Sequence, residues 1–144
     1  MFVNFHRVHE QLVGAIDNRL TADCGLTLGR VEVLEVIARL ETCRVNDIAD
    51  EIGITWGGAS KIVDRLEGTR LCHRRPNPED GRSSLIQLTA TGRRALTKAV
   101  KVMTDELDEQ VGGVLSAAAL GQLAVSCRTM RLSARARAQE DRSA

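Results

Sequence analysis

The chain has 144 residues, with 20 Lys and Arg against 19 Asp and Glu, and no tyrosine. That length makes one domain of modest core, short for an elaborate enzyme, and a formal charge of +1 excludes a uniformly basic or acidic surface. Aliphatic residues dominate and only Pro76 and Pro78 interrupt the chain, which favours helices and argues against a sandwich or barrel.

Phe5, Val8, Leu12, Ile16 and Leu20 form one apolar stripe, so residues 4–23 are expected to be an amphipathic helix ended by Cys24-Gly25. Thr27 is placed to cap a second helix carrying Val31, Leu34, Ile37 and Leu40. Residues 46–51 hold a short third helix, with Val45, Ile48, Ala49 and Ile52 inward and Gly53 as its stop. Thr55 then caps a fourth, whose buried side is Ala59, Ile62, Val63 and Leu66. This helix opens on Trp56-Gly57-Gly58, two of the poorest helix formers behind the only tryptophan.

After Leu66 the period changes. "LCHRRPN" and "SSLIQLT" are short extended runs around "PEDGR", the pattern of a two-stranded hairpin with a charged tip. Thr89 or Thr91 caps a long fifth helix with Leu96, Val100, Met103, Leu107, Val111 and Val114 along it. Ser116 opens the last, with Leu120, Leu123, Cys127, Met130 and Ala134. Both stripes are narrow, as in helices that pack along a partner. The tail "ARARAQEDRSA" is polar and is expected to fray.

Charge is unevenly spread. Residues 55–94 hold eight Lys and Arg (Lys61, Arg65, Arg70, Arg74, Arg75, Arg82, Arg93, Arg94) against four acids (Asp64, Glu67, Glu79, Asp80). A basic centre between acidic arms suits a protein that meets a polyanion on one face. The third helix, the Gly53 turn and the fourth helix have the spacing of a helix-turn-helix, in which the second helix enters the major groove. A hairpin tipped by Arg82 would lay its guanidinium in the neighbouring minor groove.

From 45 to 96 the sequence resembles the winged-helix core of MarR-type regulators (the multiple-antibiotic-resistance regulator family). "DRLE", "RRPNPEDGRS" and "LTATG" stand in that family's order and spacing. The resemblance implies a mainly α fold: a winged helix-turn-helix over 27–94, with dimerisation helices at 1–24 and 95–138, all in a single domain. It implies a homodimeric, cytoplasmic repressor that binds a palindromic double-stranded DNA operator and is released by a small-molecule effector. Residues 55–66 would be the recognition helix and Arg82 the wing-tip arginine, braced by Asp80 through a charge-assisted hydrogen bond. The DNA-binding set is then Thr55, Trp56, Gly57, Gly58, Ser60, Lys61, Arg65, Arg75, Asp80, Arg82 and Ser83. The dimer interface would use Phe5, Val8, Leu12, Leu107, Val111, Leu120, Leu123, Cys127 and Met130. The sequence departs from the family at Arg70, where relatives commonly carry glycine, and at Trp56-Gly57-Gly58, where they are often Ser/Pro/Thr-rich.

Plainer readings stand beside these. The two glycines could serve a crowded helix crossing, and Trp56 could cover apolar residues at the domain edge. Lys61 and Asp64 could be an exposed helical pair. His6 and His9 lie three apart, but without a further ligand they suit a surface role better than a metal. The scattered cysteines read as small apolar residues, Cys24 and Cys43 being the two near helix ends. No metal, cofactor, membrane span or catalytic set is expected. The alternative to a DNA-binding regulator is a winged-helix module for protein–protein contact, which has little reason to carry basic residues at 74, 75 and 82. An effector pocket would be lined by Leu12, Ile16 and the second helix.

Overall fold

The computed structural model describes residues 1–143. The elements are α1 (Phe2–Cys24), α2 (Leu28–Arg39), α3 (Val45–Ile52), α4 (Trp56–Gly68), β1 (Cys72–Pro76), β2 (Ser84–Leu88), α5 (Ala90–Val111) and α6 (Ala117–Ser143). They fall into two compact units, Met1–Glu106 and Leu107–Ala144.

In the first unit α2 packs against α1, α3, α4 and β2. The core joins Leu20 of α1, Val31, Val33 and Leu34 of α2, Ile48 of α3, Ala59, Val63 and Leu66 of α4, and Ile86 of β2, all essentially sealed from solvent. Burying each large aliphatic side chain is worth about 1.5–3 kcal/mol, which fixes the helix-turn-helix on its α2 support. The helix boundaries follow local chemistry. Gly25 and Gly53 end α1 and α3 with φ of 65° and 79°, the left-handed region that glycine enters without steric cost. Thr27 occupies the start of α2, yet its hydroxyl does not cap; the Asp17 carboxylate accepts the Leu28 amide instead, at 2.6 Å. Asp47 does the same for the Arg44 amide before α3 (2.8 Å).

β1 and β2 pair antiparallel, with Cys72 opposite Leu88 and Pro76 opposite Ser84. The Ile86 amide also donates to the Cys43 carbonyl at 2.7 Å, so the segment before α3 lies along the free edge of β2. At the root of the hairpin the Thr89 hydroxyl donates to the Arg70 carbonyl (2.7 Å) and accepts from the Gly92 amide (2.9 Å), capping α5. A Cβ on Gly92 would stand 1.9 Å from the Leu71 carbonyl oxygen, so α5 starts flush against that backbone only because residue 92 is glycine. Arg19 joins Glu106 (3.2 Å) and Asp23 (2.8 Å), and Lys98 donates to the Asp23 carbonyl, tying α1 to α5.

In the second unit α6 begins where Ser116 accepts the Ala119 amide. Leu123, Val125, Met130 and Leu132 of α6 are all about half exposed or more. Val114, expected at the end of α5, lies beyond it in the turn that follows and is 80% exposed. Among the described residues no helix is long and apolar enough to cross a membrane.

Candidate nucleic-acid interface

The candidate surface is the outer side of α4 together with the hairpin. Ala59, Val63 and Leu66 are fully buried, so the 100° step of the helix turns Gly57, Lys61 and Asp64 outward. Thr55 caps the helix, its hydroxyl accepting the Gly58 amide at 3.1 Å. A Cβ on Gly57 would meet nothing within 4 Å, while one on Gly58 would meet the Thr55 hydroxyl at 3.2 Å. Gly57 is therefore not crowded by this chain. Trp56 is 60% exposed at the same helix start, and so does not seal the domain edge.

Cations on this surface divide into two kinds. Lys61, Arg65, Arg75 and Arg82 are exposed, and among the described residues none forms an ion pair. Arg74 is different. Its guanidinium reaches Asp64 (2.6 Å) and Glu67, and its backbone amide donates to Glu67 at 2.8 Å. Burial disfavours its charge, but the bonds to Asp64 and Glu67 outweigh this and hold its pKa above the ordinary value. Asp64 thus pairs across to β1 and not with Lys61. Setting aside this group of one cation and two acids, residues 55–94 keep seven cations against Glu79 and Asp80.

The hairpin tip is ordered by its own polar atoms. Asn77 is buried, donates to the Ser83 hydroxyl (2.9 Å) and accepts from the Glu79 amide (3.1 Å). Asp80 accepts the backbone amide of Arg82 at 3.0 Å, so the brace expected for this arginine acts on its main chain. The guanidinium is left to solvent, whereas the Ser83 hydroxyl is used inside the tip, donating to the Asp80 carbonyl at 3.2 Å. In the sequence Asn77 reads as the last residue of the extended run "LCHRRPN"; the strand instead ends at Pro76, and Asn77 turns into the tip and organises it.

Arg70 sits at the end of α4 with φ 58°. The Leu71 amide donates to the Leu66 carbonyl (2.9 Å) and the Arg70 amide to Glu67 (2.8 Å), the two bonds of a glycine-type helix stop. The stop is kept and arginine adopts it. The four cysteines are free: Cys43 and Cys72 are buried, and burial pushes their thiols up to about 12 and about 11, which keeps both protonated at neutral pH. A cleft of about 350 Å³ lies between the end of α2 and the hairpin, lined by Ile37, Leu40, Glu41, His73, Ile86 and Arg93 among others. Neither Leu12 nor Ile16 lines it.

A helix-turn-helix followed at once by a basic, two-stranded hairpin defines a winged helix-turn-helix protein. Residues 25–83 match the model of the MarR family, and the fold is that of the MarR winged-helix regulators. The chain is 24% identical over 96 residues to the uncharacterized HTH-type transcriptional regulator YdgJ of Bacillus subtilis, spanning 67% of this chain but only 58% of that one. Among solved structures it is similar to the transcriptional repressor CouR bound to a 23-mer DNA duplex (TM-score 0.81, 24% identity, 89% of both chains). CouR from Rhodococcus jostii RHA1 bound to p-coumaroyl-CoA gives a TM-score of 0.74 at 24% identity over 87% of both chains. Sco3205 of Streptomyces coelicolor in complex with DNA gives 0.79 at 23% identity, covering 94% of this chain and 84% of that one.

Proposed function

We propose that this chain is a sequence-specific DNA-binding transcriptional regulator, acting as a homodimeric repressor that a small effector releases. The observation that carries the reading is the pairing of a solvent-facing α4, glycine-fronted and lined by unpaired cations, with a hairpin whose tip is hydrogen-bonded internally and leaves the Arg82 side chain exposed. Thr55 takes the Gly58 amide, so a phosphate would be seated by the amides that precede it in the first turn, and the missing Cβ at Gly57 lets backbone approach it closely. Trp56, Ser60 and Lys61 are then the side chains placed to meet base edges, and Arg82 meets the narrow groove alongside.

Self-association is supported by the apolar residues each unit leaves exposed: Phe2, Val3, Phe5 and Val8 on α1, and Leu123, Val125, Met130 and Leu132 on α6. Two protomers would address half-sites one helical turn apart, about 34 Å. The effector reading draws on CouR, which is similar in fold and has been seen with p-coumaroyl-CoA.

The test is binding of the purified protein to DNA from upstream of its own coding sequence, followed by footprinting. A protected site with two-fold symmetry is expected. Arg82→Ala should lose protection at the outer edges of each half-site; a footprint identical to the parent's overturns the wing's role.

A further inference from the structure

Asp64 and Glu67 are awkward residues for a helix offered to DNA. Both are carboxylates on α4, near Lys61 and Arg65, and charge alone would have them repel phosphate. Their partner explains their place. Arg74 is the third residue of β1 and is paired with Ile86, three positions in from the tip loop 77–83. It spans from the strand to two successive turns of α4, with its side chain 27% exposed and those of Asp64 and Glu67 at 58% and 36%. The Arg74 amide on Glu67 adds a main-chain bond to the same junction. The planar fork of arginine is suited to two carboxylates at once, whereas a lysine would offer a point charge. Three strand residues at about 3.4 Å each put the tip about 10 Å from this junction. A loosening of about ten degrees there would then move Arg82 by about 2 Å, enough to break a hydrogen bond in the minor groove.

We infer that Arg74 is a positioning residue: bracketed by Asp64 and Glu67, it locks the hairpin to the recognition helix at the angle that lets α4 and Arg82 grip one duplex together, and it does not itself touch DNA. The inference rests on the DNA-binding reading above. The gain comes from linkage, because a tip held at a fixed angle binds its groove as an intramolecular event once α4 has engaged.

The lock gives an outcome opposite to simple electrostatics. Asp64→Asn with Glu67→Gln removes two negative charges from the DNA side of the molecule. Charge alone predicts tighter binding; the lock predicts roughly tenfold weaker binding to a labelled duplex from upstream of the gene, with no loss on a random-sequence duplex of equal length. Arg82→Ala should cost tenfold or more in the parent and threefold or less in the carboxamide variant. Arg74→Lys, which keeps the charge and loses the fork, should follow the carboxamide variant. Thermal unfolding verifies that each variant is folded, and hydrogen exchange should show the Arg74 amide opening faster in the carboxamide variant. Equal or tighter binding by that variant, or an Arg82→Ala cost that is the same in both backgrounds, overturns the lock. A fully active Arg74→Lys protein does so too, since it assigns Arg74 to phosphate. If the parent binds neither duplex, the DNA-binding reading fails by itself; the exchange measurement then decides whether Arg74 fixes the hairpin, and an unchanged Arg74 amide refutes that.

Discussion

Arg70 holds a backbone conformation that costs an L-residue about 1–2 kcal/mol and glycine little. Its side chain is exposed and among the described residues has no partner; the strain is offset only by main-chain bonds, which glycine would keep. Arg70→Gly should therefore raise stability by about 1 kcal/mol, read as a melting temperature higher by about 3 °C. If arginine is retained for a phosphate contact, the same variant should bind DNA more weakly with a shallower salt dependence. The buried thiols give a pH signature. Cys43 and Cys72 hold their protons to about 12 and about 11 in the folded chain, against 9.0 for a free thiol. Between those limits the unfolded chain loses protons that the folded one keeps, so stability is intact below pH 9 and falls as pH climbs through that window. Denaturant melts at pH 8 and pH 10 would show this, and Cys43→Ala with Cys72→Ala should flatten the difference.

At the scale of elements, the sequence was most readable where a single residue decides an end. Gly53 stopping α3, Thr55 capping α4 and Ser116 starting α6 each act within one turn, so composition is enough. It was least readable where the deciding partner is remote. Asp17 supplanting Thr27 as the cap of α2 depends on α1 lying beside that turn, and Arg74 reaching Asp64 depends on strand register. The two glycines fronting α4 belong between these cases. Their cost is visible in sequence, but the open space around Gly57 needed the fold. Gly57→Ala should stabilise the protein by about 0.5 kcal/mol, because it relieves a helix-start glycine and meets no neighbour. Operator binding should nevertheless weaken. A variant that is both more stable and equally tight would deny the glycine any role at the DNA.

Seen whole, α1 and α6 each leave several large apolar side chains exposed, Phe2, Val3, Phe5 and Val8 on one and Leu123, Val125, Met130 and Leu132 on the other. Sedimentation at micromolar concentration should give a dimer, and Phe5→Glu with Met130→Glu should shift it to monomer. A monomeric parent would remove the paired half-site geometry. DNA binding should also be steep in salt: six phosphate contacts in the dimer would lose about a thousandfold in affinity between 50 and 200 mM. The architecture was legible because each helix announced its apolar side. How the hairpin is held was not, since that rests on contacts the linear pattern never shows.

Gly92 pressed on the Leu71 carbonyl has a practical corollary for anyone re-engineering this scaffold. With no slack at the seam, a transplanted hairpin of another length or specificity should be spliced inside 77–83. Joined at the strand roots instead, it would wedge the following helix off its seat.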